Sequence, residues 1–118
     1  MQSFEPLDVV SVPYPYVERP ATQRRPAVVL ALPPSGNRHP LLWVMMITSF
    51  ENRRWPGDIA ITDLGAAGLP EASVIRLAKM AVIEAIAIER KGRLAEADVA
   101  SLRAGLQGLL GAVLTGAP

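Results

Sequence analysis

Two stretches, residues 26–32 and 41–47, are apolar almost without interruption, whereas the other apolar segments are short or alternate with polar positions. Unbroken runs of that length predict central β-strands covered on both faces. Pro26 opens the first of them, where a missing N–H is tolerated, and Pro33-Pro34-Ser35-Gly36-Asn37 closes it as a turn. An earlier strand is predicted over Asp8-Val9-Val10-Ser11-Val12-Pro13, from its β-branched residues and the terminating proline. Residues 14–23 then form a loop stiffened by Pro15 and Pro20. Beyond the second long run, residues 50–57 make a polar loop and 58–61 a short alternating strand, and 62–72, rich in Gly, Ala and Pro, are expected to be irregular. Residues 73–77 and 81–88 read as two further strands, the second also compatible with a helix by periodicity.

From Glu96 onward the pattern changes. Val99, Leu102, Leu106, Leu109, Leu110 and Val113 recur at spacings of three and four, which is one apolar stripe on a helix. Glu96 and Asp98 in its first turn suit the positive end of the helix dipole, although Ala95 is a poor N-cap. Six short strands closed by one helix predict a mainly β chain, a small and strongly bent sheet or barrel with a C-terminal α-helix packed on it. At 118 residues, a single domain over 1–118 is expected.

Composition narrows the chemistry. Half of the residues are hydrophobic, enough for one core, but no apolar run approaches the ~18 residues of a membrane span and residues 1–5 lack a secretory signal. A soluble protein of the cytoplasm, with no membrane partner, is therefore expected. Without cysteine, and with His39 as the single histidine, thiol nucleophiles, disulfides and Cys/His metal clusters are excluded. The net charge of +1 hides an asymmetry: between positions 19 and 54 stand Arg19, Arg24, Arg25, Arg38, Arg53 and Arg54 against Glu51 alone, a local +5. Arginine is the cation suited to forked hydrogen bonding of phosphate, so this region is either a solvated basic face or a phosphate-binding one.

The motifs in order are Asp8-Val9-Val10, Pro13-Tyr14-Pro15-Tyr16, Arg24-Arg25-Pro26-Ala27-Val28-Val29-Leu30, Ile47-Thr48-Ser49, Trp55-Pro56-Gly57-Asp58, Gly68-Leu69-Pro70, Ser73-Val74-Ile75-Arg76 and Ile88-Glu89-Arg90-Lys91-Gly92-Arg93-Leu94. Together they resemble the MazF/PemK family of toxin endoribonucleases from type II toxin–antitoxin systems. The resemblance implies an SH3-like β-barrel with a C-terminal helix, usually a homodimer. It implies metal-independent cleavage of single-stranded RNA (mRNA, tRNA or rRNA), without a cofactor, leaving a 2′,3′-cyclic phosphate and a 5′-hydroxyl. It also implies a cognate antitoxin whose acidic, disordered C-terminal segment lies across the RNA groove. The family's essential arginine and threonine correspond to Arg25 and Thr48. Two departures stand out: many relatives carry glycine where this chain has Leu7, and the acid some relatives place just before the arginine is replaced by Arg19 and Pro20, with Glu18 the nearest carboxylate.

Such a residue set is sufficient because a ribose 2′-hydroxyl is its own nucleophile; the protein needs to hold the phosphate in line and stabilise its growing charge. Arg25 is expected to act as an electrostatic clamp and Thr48 as a hydroxyl donor, since a guanidinium with a pKa above ~12 is a poor base. Glu18 is the candidate general base if its loop covers the site. Arg19, Arg24, Ser49, Asn52 and Arg53 are the candidate RNA contacts. Alternation sends Arg24 and Ser49 to the face opposite Arg25 and Thr48, where structural roles compete. Trp55 either stacks on bases or plugs the barrel end, Arg76 reads as an ion pair or dimer contact, and His39 as a surface residue. A gyrase-poisoning toxin on the same barrel, or a non-catalytic binding module, are the alternatives.

Overall fold

The computed structural model describes residues 3–14, 23–36 and 38–116. Its strands are β1 (Asp8–Tyr14), β2 (Gln23–Ala31), β3 (Leu41–Ser49), β4 (Ile59–Ala60), β5 (Ser73–Glu84) and β6 (Glu89–Arg93), with a single helical turn α1 (Leu64–Ala67) and a terminal helix α2 (Glu96–Thr115). They form one curled antiparallel sheet in the order β4-β5-β3-β2-β1-β6, a half-barrel.

The continuous apolar runs are explained by burial on both faces of that sheet. Val9, Val28 and Met45 stand across from one another on neighbouring strands and join a cluster with Ile61, Leu69 and Leu94 of the connecting segments, Ala67 of α1, and Val99 and Leu102 of α2. Val10, Ala27 and Met46, one step along, belong to a second cluster with Phe4, Val12, Val29, Leu42, Val44, Ile83 and Ile88 on the other face. Each strand therefore contributes alternate residues to two cores.

Four expectations are corrected. Segments 73–77 and 81–84 are one strand rather than two, and the helical option for 81–88 is excluded. The sixth strand is Glu89–Arg93, which the apolar pattern does not reveal because it has almost no apolar residue. It is held to β1 by Asp8, a buried carboxylate that accepts from Arg90 Nε at 3.0 Å, Arg93 Nη1 at 3.0 Å and the Glu5 N–H at 2.9 Å. Within the stretch expected to be irregular, Asp63 caps α1 by accepting from the Ala66 N–H, and Gly68 ends it in the left-handed conformation. On α2, Val99 and Leu102 are buried and Leu106 partly so, whereas Leu109, Leu110, Val113 and Leu114 run past the sheet, Val113 reaching 83% exposure. Asp98 does more than complement a dipole: it is buried and accepts from the Thr62 N–H, the Thr62 hydroxyl and the Asp63 N–H, fastening α2 to the segment after β4.

Leu7 makes its turn without a glycine. It sits at φ 76°, a conformation that costs a non-glycine residue about 1–2 kcal/mol, and is fixed by N–H donation to Val29 O at 2.7 Å and by accepting from the Leu94 N–H at 3.1 Å.

Candidate functional site

The register of β2 against β3 pairs Ala27 with Met46 and Val28 with Met45. The ladder ends there, and Arg25 and Thr48 lie two residues beyond it, each on the same face of its strand as Ala27 and Met46, where the apolar core gives way to polar residues. Both side chains line a cleft of about 500 Å³. Its walls include Gln23 on β2, Ser49 and Asn52 beyond Thr48, and Leu69, Pro70 and Glu71 from the segment following α1.

Thr48 is oriented by its neighbour: Asn52 Nδ2 donates to Thr48 Oγ1 at 2.6 Å. With its oxygen accepting that bond, the hydroxyl still has a proton to donate toward the cleft. Arg25 is exposed and donates through Nη2 to Gln23 Oε1 at 3.1 Å, so its fork is steered along β2. Arg24 alternates to the other face of β2 and also borders the cleft, but it spends its guanidinium on the protein itself, bonding the Ser11 hydroxyl and carbonyl at 2.8 Å each and the Ala87 carbonyl. Ser49 Oγ accepts the Glu51 N–H at 3.3 Å, a turn-closing bond. Arg53 is an exposed loop residue whose backbone carbonyl accepts from Arg76. Glu18 and Arg19 lie outside the described residues.

The loop carrying Asn52 is braced from β5. Arg76, buried in its strand, donates to Asp58 Oδ1 at 3.2 Å, Asp58 Oδ2 at 3.0 Å and Arg53 O at 2.6 Å, and its guanidinium stacks 4.2 Å from the Trp55 ring centre. Arg54 caps the Phe50 ring at 3.9 Å. The ion-pair reading of Arg76 is thus the observed one, and Trp55 is occupied in holding it. Burial pushes the Asp58 carboxyl upward in pKa, but the Arg76 hydrogen bond, the Trp55 N–H and the charges of Arg76 and Arg54 together outweigh it and hold the group below its usual 3.8. A carboxylate with a depressed pKa stabilises the fold above its unfolded value and loses that contribution as pH falls through its folded value. Asp58→Asn is therefore expected to lower the thermal unfolding midpoint at neutral pH, and the gap to wild type should close below pH 3.8. A gap that persists unchanged in acid would contradict this assignment.

Two groups at the site carry no signal in the sequence. Glu71 is the carboxylate among the cleft residues, yet it comes from a Gly/Ala/Pro-rich stretch without periodicity. Lys79 lines an adjoining pocket together with Arg25, Thr48 and Arg76. No three His, Cys, Asp or Glu side chains converge as a metal-binding group among the described residues, and no helix there is long and apolar enough to cross a membrane.

No curated protein matches the sequence. Among solved structures, a chain of the MazE–MazF complex (Form-II) from Deinococcus radiodurans superimposes with a TM-score of 0.67 at 17% identity, covering 94% of this chain and 98% of that one. MazF (Form-I) from Deinococcus radiodurans gives 0.65 at 19% identity, covering 94% and 99%. These likenesses establish the shared fold. The family described as PemK-like, MazF-like toxin of type II toxin-antitoxin system matches residues 5–110, nearly the whole chain and including every element that walls the cleft. The chain belongs to the PemK-like, MazF-like toxins of type II toxin–antitoxin systems.

Proposed function

We propose that the protein is a metal-independent endoribonuclease acting on single-stranded RNA in the cytoplasm. The observation that carries the reading is the convergence of Arg25 and Thr48 in one cleft, with Asn52 orienting the threonine hydroxyl. In the reaction, the 2′-oxygen bonds to phosphorus, the bond from phosphorus to the 5′-oxygen breaks, and a 2′,3′-cyclic phosphate and a 5′-hydroxyl result. The 2′-hydroxyl proton leaves to a carboxylate and a proton is returned to the 5′-oxygen. Arg25 and Thr48 donate to the non-bridging oxygens as their charge grows. For the departing proton, the sequence offers Glu18 and the cleft itself offers Glu71. DNA is spared because it lacks the attacking hydroxyl.

Asn52 and Arg53 supply polar groups to unpaired bases from the loop after β3, with Ser49 beside them, and Arg19 is a further RNA contact suggested by the sequence; Arg24 contributes by fixing the strand that carries Arg25. A cognate antitoxin is the partner by analogy with the MazE–MazF complex, and an acidic disordered segment laid across this cleft would match its arginines in charge. The exposed Leu109, Leu110, Val113 and Leu114 of α2 offer apolar surface for a homodimer. Gyrase poisoning and loss of catalysis are the competing outcomes on this fold. Purified protein is expected to cleave single-stranded RNA in excess EDTA, leaving 5′-hydroxyl ends open to kinase labelling. RNA left intact, or gyrase–DNA complexes accumulating instead, would sink the proposal.

A further inference from the structure

The pairing of β3 with β5 is interrupted beside the site. Met45 pairs with Met80 and Ile47 with Ile75, so Arg76, Leu77, Ala78 and Lys79 on β5 span the single position of Met46 on β3. Extra residues of this kind re-aim the side chains they carry. Here they deliver Arg76 and Lys79 into a second pocket of about 150 Å³, whose walls also include Arg25 and Thr48. The larger cleft and this pocket thus meet at Arg25, Ile47 and Thr48.

The two sides differ in charge. The larger cleft carries Arg24 and Arg25 with one carboxylate, Glu71, whereas the charged residues lining the second pocket are Arg25, Arg76 and Lys79, all cations. Arg76 is committed to Asp58 through two hydrogen bonds and its charge is largely offset there. Arg25 and the half-buried Lys79 add their cationic groups to the same pocket wall. A volume of this size holds roughly five water molecules, which suits a phosphate group with part of its hydration. An ammonium on a flexible stem binds phosphate as a point charge and asks nothing of the base attached to it.

We propose that Lys79 binds the RNA phosphate next to the one held by Arg25 and Thr48, so that the strand runs from the larger cleft across that pair into the second pocket. The inference rests on the ribonuclease reading and adds a second phosphate site to it. Lys79 is a substrate-binding residue in this scheme and touches none of the reacting atoms.

The test uses short single-stranded oligonucleotides of mixed sequence, fully 2′-fluoro, which keep every phosphate and lack the nucleophile. Fluorescence anisotropy over a series of salt concentrations gives the slope of log affinity against log salt, about 0.7 for each phosphate neutralised on a single strand. Lys79→Met is expected to reduce that slope by about 0.7 and to raise KM for RNA several-fold with kcat nearly unchanged, while Lys79→Arg keeps the wild-type slope. Lys79→Gln, uncharged and of similar length, gives the same readout if methionine disturbs folding. An unchanged slope and KM in a folded neutral variant, alongside active wild type, overturn the second phosphate site alone. Wild type that neither binds the oligonucleotides nor cleaves RNA overturns the ribonuclease reading and this inference with it.

Discussion

Arg25→Ala is expected to lower RNA cleavage by at least about 10²–10³-fold, to the limit of detection in most assays, with the thermal unfolding midpoint unchanged. The size follows from where the guanidinium acts. It meets charge that develops in the transition state, so its loss falls on kcat rather than on binding alone. The stability half follows from exposure: Arg25 lies at the polar end of β2, beyond the buried Ala27, Val28 and Val29, and its removal opens no cavity. Single-turnover cleavage of a labelled transcript and a melting curve on the same preparation test both halves. Activity within a few-fold of wild type would remove the clamp from the mechanism. A large drop in unfolding midpoint would show that Arg25 is structural, as its neighbour Arg24 is, with three bonds to Ser11 and Ala87.

Part of that contrast is legible in the sequence: strand alternation places the two arginines on opposite faces and the family resemblance singles out Arg25, but for Arg24 an RNA contact and a structural role compete until its bonds to Ser11 and Ala87 are seen. The central strands are legible for a related reason: a segment buried on both faces must be apolar throughout, so β2 and β3 advertise themselves. β6 cannot, since Glu89-Arg90-Lys91-Gly92-Arg93 becomes a strand through pairing with β1 and through the buried carboxylate of Asp8, which lies 82 and 85 residues away from the arginines it binds. The break in pattern between 73–77 and 81–88 marks a real irregularity, but not the end of a strand. It is the bulge in β5, and identifying it requires knowing that Met46 faces it. Glu71 and Lys79 stay hidden because pockets assembled from separate segments leave no periodicity in any one of them. The stripe on α2 predicts the helix correctly, but nothing in the stripe says where the sheet beneath it ends.

The largest effect on stability is expected at Gly68, where alanine should cost about 2–5 kcal/mol. Gly68 terminates α1 at φ 70°, which alone disfavours a side chain by about 1–2 kcal/mol. A β-carbon there would also lie 2.0 Å from the Lys91 carbonyl oxygen and 2.6 Å from its carbon, backbone atoms that cannot swing aside, and overpacking of this kind adds about 1–3 kcal/mol. Gly92 is the reciprocal contact, where a β-carbon would meet Ala66 O at 2.3 Å, so α1 and β6 touch backbone to backbone through paired glycines. The consequence reaches the cleft, since Leu69, Pro70 and Glu71 follow directly from Gly68 and form one of its walls. Gly68→Ala should therefore weaken RNA cleavage as well as lower the urea midpoint. Gly108→Ala provides the internal comparison: it is mid-helix on α2, and a β-carbon added there would have nothing within 4 Å, so the same change should stabilise by about 0.5–1 kcal/mol. Opposite signs for one substitution at two glycines would trace the cost at Gly68 to its backbone angle and to β6, whereas equal effects would refute the contact between α1 and β6.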